Sequence, residues 1–256
     1  MKDIKMIVTD LDNTLLRTDK TISDYTAQTL NKCREKNIKI VFATARPARV
    51  AQYDKFSPDA VIADNGAVID CRGKIVNKIN ISNKTLNLLI KELISSDNVI
   101  HITVETGEYL LTNYTGEPWD AHANKWKLIY NDFSSEMKET ATKLAVEYKD
   151  ISWLKNLMKN YPDLHLYENT GEPWSQIMHI SSTKQNAVKI LADYYNYDLS
   201  EVAAFGDDYN DVEMLRECGV GVAVANAIDE AKAAADFICE SNDNDGVAKW
   251  VEENIF

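Results

Sequence analysis

Two ends of the chain share one pattern, in which a short apolar run stops at polar or acidic residues. Near the N-terminus, KMIVTD covers 5–10, and similar runs follow at 38–44 and 60–66. Near the C-terminus, VAAFGDD covers 202–208 and VGVAVAN covers 220–226. Stretches with helical spacing separate these runs. This alternation predicts an α/β fold with a doubly wound parallel sheet covered by helices on both faces. Such sheets place their sites just beyond the carboxyl ends of the strands.

The middle of the chain has a different pattern. A helical stretch follows Ser82, and further helices are predicted over 136–148 and 150–160. Four segments alternate apolar and polar residues, as half-exposed antiparallel strands do; these are NVIHITVE (98–105), EYLLTN (108–113), LHLYEN (164–169) and WSQIMHIS (174–181). We therefore predict an α+β domain at 83–181, inserted into a core formed by residues 1–82 and 182–256.

A repeated turn sequence supports the strand assignment in the insert. TGE occurs at 106–108 and again at 170–172, each time between two alternating segments. Glycine at a turn tip adopts positive φ without a Cβ clash, so both are predicted to be hairpin turns. TGEPW also occurs at 115–119, where it follows a strand and is out of register with 170–174. We interpret that match as shared turn chemistry rather than shared function.

Charge and composition exclude several classes of partner. The net charge is −12, and no basic patch stands out that could bind nucleic acid or an anionic membrane. No apolar stretch approaches the ~20 residues that a membrane span needs, and no signal peptide is visible. The four cysteines form no CxxC pair, which favours reduced, mostly buried thiols. We expect a cytoplasmic protein; its oligomeric state does not follow from the sequence.

Two acidic clusters carry the chemistry. Asp10 and Asp12 stand at the end of the first predicted strand, and the sequence GDDYND brings Asp207 and Asp211 at the end of a later one. A D-x-D pair alone can equally be a helix cap or a solvated turn. If the clusters meet in a low-dielectric cleft, the repulsion between their carboxylates is costly unless a cation lies between them. Carboxylate oxygens with open water positions suit Mg²⁺.

In this order the motifs resemble the haloacid dehalogenase (HAD) superfamily of phosphotransferases. The resemblance depends on DLDNTL at 10–15, on Thr44 at the end of the second strand, on Lys184 at a helix start, and on GDDYND at 206–211. TARP at 44–47 and DNGA at 64–67, together with the inserted αβ domain, are similar to the Cof-type branch, which has a large open-faced cap. The insert matches by layout and not by motif.

The resemblance implies a role for each matching position. Asp10 would attack phosphorus and form an aspartyl-phosphate, and Asp12 would protonate the leaving oxygen and then activate water. The Asp12 role requires a raised pKa in the closed, metal-bound site. Mg²⁺ would be held by Asp10, the backbone carbonyl of Asp12 and Asp207, with Asp211 supporting it. The remaining implied roles are contacts to the phosphoryl oxygens or the substrate, by Thr44, Lys184, Arg46, Asn65, Gly66 and Asn210.

Two residues depart from the family pattern, and both concern loop shape. Asn13 and Ala45 stand where the family commonly has glycine. The implied function is a Mg²⁺-dependent phosphatase acting on a small phosphorylated metabolite. A sugar phosphate is the first expectation, and pyridoxal phosphate or a flavin mononucleotide is the next. A phosphomutase and a catalytically idle ligand sensor remain as alternatives.

Aromatic side chains concentrate in the insert, but their use stays open. Polar faces of its strands could contact substrate, or they could meet water or a partner subunit. The insert contains all four histidines and four of the five tryptophans: His101, His122, His165, His179, Trp119, Trp126, Trp153 and Trp174.

Overall fold

The structure is a computed structural model that describes residues 3–51, 53–116, 126–168 and 172–256. The chain divides into two compact units, one formed by Met1–Asn77 with Thr183–Phe256 and the other by Lys78–Ser182. The predicted insert at 83–181 begins five residues later and ends one residue earlier than the second unit. Its role as a cap stays a prediction.

The described residues contain the following elements. In chain order the strands are β1 Met6–Asp10, β2 Lys39–Ala43, β3 Ala60–Ala63, β4 Val68–Cys71, β5 Lys74–Lys78, β6 Val99–Glu105, β7 Leu110–Thr112, β8 Leu128–Tyr130, β9 Lys143–Tyr148, β10 Leu164–Glu168, β11 Trp174–His179, β12 Val202–Gly206, β13 Val220–Val224 and β14 Phe237–Cys239. The α-helices are Asp24–Glu35, Asn83–Ile94, Ile151–Met158, Lys184–Tyr195, Val212–Glu217, Asp229–Ala234 and Gly246–Ile255.

The first unit is built on an eight-stranded sheet with the order β14-β13-β12-β1-β2-β3-β4-β5. The strands from β14 to β3 pair in parallel, and β4 joins β3 antiparallel. The central strand β1 is buried along its whole length, as the apolar run predicted. Chain order runs outward from β1 to β3 on one side and from β12 to β14 on the other. The predicted doubly wound α/β fold is therefore confirmed.

Side-chain caps begin the helices that flank this sheet. Ser23 accepts a 2.9 Å hydrogen bond from the Thr26 amide and caps the first helix. Thr183 caps the helix Lys184–Tyr195 in the same way, through a 3.1 Å bond from the Asn186 amide. These hydroxyls satisfy amides that have no partner inside the helix, and the second cap places Lys184 at the first helical position.

The second unit contains a six-stranded sheet with the order β10-β11-β9-β6-β7-β8. The pairs from β10 to β7 are antiparallel, and β7 pairs with β8 in parallel. One face packs on the helices Asn83–Ile94 and Ile151–Met158. The buried residues of this core include Leu89 and Leu154 from the helices and Ile102, Val104 and Ile177 from the strands.

The predicted helix over 136–148 is wrong. Residues 143–148 form β9, which lies between β6 and β11 in the centre of the sheet. Leu144 and Val146 alternate with more polar neighbours and are fully buried in the apolar core. Two neighbouring strands satisfy both edges of β9, and this tertiary pairing overrides the helix-forming composition of the segment.

One residue of β6 also lies elsewhere than predicted. The alternation in NVIHITVE predicts that Ile100 shares the apolar face with Ile102 and Val104, but its side chain is 52% exposed. The pairing of β6 with β9 shifts register between Val99 and His101, which turns Ile100 out of the face that Ile102 and Val104 share.

The TGE turn at 106–108 connects β6 and β7 as predicted. Gly107 has φ +99°, and the Thr106 amide donates a 3.1 Å bond to the Tyr109 carbonyl. The second predicted turn is only partly visible, since 169–171 lie outside the described residues between β10 and β11. Trp119 and His122 also lie outside the described residues.

Candidate active site

Three of the predicted site residues lie at the same edge of the first sheet. Asp10 ends β1, Thr44 follows β2 directly, and Asp207 follows β12 directly. Because β12, β1 and β2 are parallel neighbours, their carboxyl ends meet. Residues that are about 200 positions apart in sequence thus come together, as the strand pattern predicted.

Lys184 connects the two acidic clusters. Its Nζ lies 2.6 Å from Asp10 Oδ1 and 2.7 Å from Asp211 Oδ1. The side chains of Lys184 and Asp211 are completely buried, and that of Asp10 is 9% exposed. Burial alone would lower the pKa of Lys184, but the two carboxylates raise it above its usual range, so the side chain stays charged.

Further hydrogen bonds orient the carboxylates of Asp207 and Asp211. Thr14 Oγ1 donates a 2.6 Å hydrogen bond to Asp207 Oδ1. Asp211 Oδ2 accepts the backbone amides of Asp207 at 3.0 Å and Asp208 at 3.3 Å. With Lys184 on its Oδ1 and two amides on its Oδ2, the Asp211 carboxylate is held in one orientation beneath the Asp207 loop.

Gly206 is required by this packing. A Cβ at this position would lie 2.4 Å from Asp211 Cβ, closer than two side-chain atoms can approach. The glycine that ends β12 therefore lets Asp211 reach under the Asp207 loop.

The donor set fits a divalent cation. Asp10, Asp207 and Asp211 can each place one carboxylate oxygen within 4.8 Å of the others. Three negative charges then face the single positive charge of Lys184, which leaves an excess that one Mg²⁺ would neutralise. Burial first, and then the Asp211 carboxylate, raise the pKa of Asp207 to about 6. Burial also raises the pKa of Asp10 well above its ordinary value, against the effect of Lys184.

Asp12 lies apart from this acidic cluster and is paired with two cations. Arg46 donates from Nε to Asp12 Oδ2 at 2.7 Å and from a terminal nitrogen to Oδ1 at 2.8 Å. Lys20 Nζ lies 2.8 Å from Oδ1. Burial would raise the pKa of Asp12, but these hydrogen bonds lower it overall. This direction is opposite to the raised pKa that the acid role implied by the family resemblance requires, so in that role Asp12 would have to exchange some of these contacts before donating a proton.

Of the remaining predicted substrate residues, Asn65 and Gly66 lie in a turn beside this site, and Asn210 contacts Asn65. Asp64, Asn65 and Gly66 all have positive φ, of 47°, 50° and 101°. The Asn65 amide donates to the Thr44 carbonyl at 3.0 Å, and Asn65 Oδ1 accepts from Asn210 Nδ2 at 2.9 Å. A Cβ on Gly66 would lie 2.1 Å from the Thr183 carbonyl oxygen, so this turn packs directly on the start of the Lys184 helix.

The motifs did not predict three residues that hold the site together. Asn226 Nδ2 donates to the Asn13 carbonyl at 2.7 Å, while Asn226 Oδ1 accepts the Asn242 amide at 3.0 Å. Asn242 Nδ2 in turn donates to the Leu16 carbonyl at 3.0 Å. This chain of amides supports the segment that follows Asp12, at Asn13 and at Leu16, and Asn13 takes φ 62° in place of the family's glycine. Lys20 is the third such residue.

A sequence signal existed for only one of the three. Asn226 ends the apolar run at 220–226, so the rule that places polar residues after strand ends could have found it. Asn242 and Lys20 lie in loops, and nothing in their local sequence marks them.

Comparison with known families decides the relationship. The sequence model of the haloacid dehalogenase-like hydrolase family matches residues 7–251 of this chain. The chain belongs to this family. The resemblance to the HAD superfamily and its Cof-type branch is confirmed, and so is the prediction of a hydrolase of the phosphatase kind.

Relatives match the chain along nearly its whole length. A 5-amino-6-(5-phospho-D-ribitylamino)uracil phosphatase of Bacillus subtilis is 28% identical, covering 97% of this chain and 96% of its own length. A second B. subtilis protein of that name is 27% identical, covering 97% and 95%. The structure of a HAD-superfamily phosphatase from Bacteroides thetaiotaomicron superposes with a TM-score of 0.84 at 26% identity, covering 98% of this chain and 94% of its own.

A further structure supports the fold alone. A sugar phosphatase of HAD subclass IIB superposes with a TM-score of 0.84 at 21% identity, covering 97% of this chain and 98% of its own. No helix among the described residues has the length and apolar character that crossing a membrane would require.

Proposed function

We propose that this HAD-family phosphatase depends on Mg²⁺ and hydrolyses a small phosphorylated metabolite through an aspartyl-phosphate on Asp10. The observation that carries the proposal is the convergence of Asp10 and Asp207, with Lys184 bound to both Asp10 and Asp211. The three carboxylates carry more negative charge than the one buried lysine offsets, and a single divalent cation would neutralise the difference.

Asp10 is placed to act as the nucleophile. It ends the central strand, and Lys184 holds its Oδ1 at 2.6 Å. In the first step the other oxygen of Asp10 forms a bond to phosphorus while the bond to the leaving oxygen breaks. Thr44 and Lys184 are the proposed contacts to the phosphoryl oxygens. In the second step a water attacks phosphorus, which releases phosphate and restores the carboxylate.

Asp12 is the proposed proton carrier between these steps. It stands two residues after Asp10 and is 31% exposed, so a leaving group can approach it. It would protonate the leaving oxygen first and take a proton from the attacking water second. Its pairing with Arg46 and Lys20 means that substrate binding has to loosen part of this contact.

The metal has a defined set of proposed ligands. Asp10, Asp207 and the backbone carbonyl of Asp12 would hold Mg²⁺, with Asp211 orienting the loop from behind. When bound, Mg²⁺ neutralises charge on the phosphoryl group during transfer.

The proposed substrate class is a phosphorylated polyhydroxy compound such as a sugar phosphate. Two relatives at 28% and 27% identity carry names that specify a phosphorylated ribityl chain on a uracil. A ribityl phosphate shares a terminal phosphate ester on a hydroxylated carbon chain with sugar phosphates. The proposed contacts to substrate in the first unit are Arg46, Asn65, Gly66 and Asn210.

Two alternatives differ in their products. A phosphomutase would pass the phosphoryl group to a second sugar oxygen and yield an isomer instead of inorganic phosphate. An idle sensor would bind ligand with no turnover, although sensing alone requires no proton carrier such as Asp12.

A phosphate-release assay tests the proposal. We expect the protein to hydrolyse p-nitrophenyl phosphate with Mg²⁺ and to lose this activity in EDTA. Asp10→Asn and Asp12→Asn should each remove nearly all turnover, whereas the exposed control Asp24→Asn, a residue 81% exposed beside Lys55, should retain it. A panel of phosphorylated sugars, sugar alcohols, pyridoxal phosphate and flavin mononucleotide then ranks the substrates. Asp10→Asn with near wild-type turnover would refute the proposal, and isomer formation without phosphate would favour the mutase.

A further inference from the structure

Two cations from separate segments hold the Asp12 carboxylate. Arg46, three residues beyond the end of β2, contacts both oxygens at 2.7 and 2.8 Å. Lys20, from the turn that follows the D-x-D loop, contacts Oδ1 at 2.8 Å. The side chain of Lys20 is 43% exposed and that of Arg46 is 21% exposed, so Lys20 is the cation on the solvent side of the carboxylate.

The turn that carries Lys20 is closed by its own hydrogen bonds. The Lys20 amide donates to the Arg17 carbonyl at 2.8 Å, and the Arg17 amide donates to the Thr21 carbonyl at 3.0 Å. Asp19 Oδ1 accepts both the amide and the hydroxyl of Thr21, at 3.0 and 2.6 Å. Lys20 itself has φ 65°. The backbone at the tip therefore has one defined conformation from which the lysine side chain extends.

Two acids near the C-terminus fasten the base of this turn. Asp245 accepts from Arg17 at 2.6 and 3.3 Å, in a bidentate arrangement. Asp243 accepts the amide and the hydroxyl of Thr18, both at 2.8 Å. Contacts of this kind support a site residue by limiting the conformations of the segment that presents it. The whole arrangement fixes where the Lys20 ammonium can reach.

We propose that Lys20 is a positioning residue for Asp12, an inference that rests on the proposed catalytic role of Asp12. The planar guanidinium of Arg46 sets the plane of the carboxylate through two parallel bonds. Lys20 is a point charge on a flexible stem, and it restrains Oδ1 from the solvent side of the carboxylate. Its contact is the one exchanged as Asp12 turns to the substrate, and it returns Asp12 to the same orientation for the next step.

Substitution of Lys20 by methionine separates positioning from folding. Because misplacement of a reacting group slows the chemical step, Lys20→Met should lower kcat by about tenfold. KM should change by less than about twofold, since the group acts on the reaction step and not on ground-state binding. Lys20→Arg should recover most of kcat because it keeps a cation at this place.

Lys5→Met is the matched control. Lys5 makes a 2.6 Å ion pair with Glu201 at nearly the same exposure, 42%, but it lies before the opposite end of β1. We expect it to keep wild-type kcat, and both methionine variants to change the unfolding midpoint by similarly small amounts. Equal kcat in Lys20→Met and Lys5→Met, with Asp10→Asn inactive, would overturn the role of Lys20. Absence of turnover in the wild type would instead contradict the proposed function.

Amine labelling tests the contact without any turnover. Reductive methylation followed by peptide mass spectrometry should modify Lys20 faster in Asp12→Asn than in the wild type, since the ion pair protects the amine. Lys5 should label equally in both proteins. Equal labelling of Lys20 in both would overturn the inference.

Discussion

Lys184 donates a 2.6 Å hydrogen bond to Asp10 across 174 positions of sequence. Its ammonium also contacts Asp211 at 2.7 Å, so one buried cation joins the end of β1 to the loop after β12. The strand ends are therefore connected by charge as well as by the sheet. The contacts of Lys184 fix the positions of Asp10 and Asp211 relative to each other. Its single positive charge offsets only part of the negative charge of the site.

Removing this cation should destabilise the fold strongly. Lys184→Met leaves Asp10 and Asp211 buried without a counter-charge, which costs about 3–5 kcal/mol in the free energy of unfolding. Urea unfolding in EDTA measures this loss. In the double variant Lys184→Met, Asp211→Asn one stranded charge is gone, so the two losses should sum to more than the measured total. Additive losses would contradict the direct contact.

Gly66 provides a second test, with Gly73 as its matched control. Both glycines have positive φ, 101° and 88°, but alanine at Gly73 meets nothing within 4 Å, whereas at Gly66 its Cβ would lie 2.1 Å from the Thr183 carbonyl. Gly73→Ala should cost only the left-handed backbone penalty, about 1–2 kcal/mol. Gly66→Ala should cost about 1–3 kcal/mol more because the turn and the Lys184 helix have to separate. Chemical denaturation compares the two, and equal losses would contradict the close approach.

Asp207 should make the metal-free protein more stable at mildly acidic pH. Its pKa is about 6 in the folded chain against an ordinary 3.8, so the folded state binds this proton more tightly. The resulting penalty is present above pH 6 and disappears as the pH falls through 6 towards 4. Over the whole range from above pH 6 to below pH 4, the contribution is about 3 kcal/mol.

Thermal unfolding in EDTA at pH 8 and pH 5.5 measures this effect. Asp207→Asn removes the carboxyl and should reduce the gain in stability on acidification. Saturating Mg²⁺ should reduce it as well, since the metal stabilises the ionised form at pH 8. The same pH dependence in the wild type and in Asp207→Asn would contradict the prediction.

The predictable part of the site follows from strand ends. Asp10, Thr44 and Asp207 each close an apolar run, and a parallel sheet has to bring such ends to one edge. The order of the motifs then predicts that Lys184 belongs to the site, although a lysine at the start of a helix indicates little by itself. The sequence does not predict that Lys20 and Arg46 contact Asp12, because these contacts depend on the conformations of two loops.

The second unit shows where local pattern fails. Residues 143–148 alternate at period two, but the preceding residues favour a helix, and only the pairing with β6 and β11 decides between them. Ile100 fails for a similar reason, since a register shift in β6 cannot be read from alternation alone.

Isothermal titration with Mg²⁺ tests most directly whether the two acidic clusters share one cation. The account predicts that the wild type binds one Mg²⁺ per chain, that Asp10→Asn and Asp207→Asn each weaken this binding severely, and that Asp24→Asn binds as the wild type does. No measurable binding by the wild type, or unchanged binding by Asp207→Asn, would contradict it.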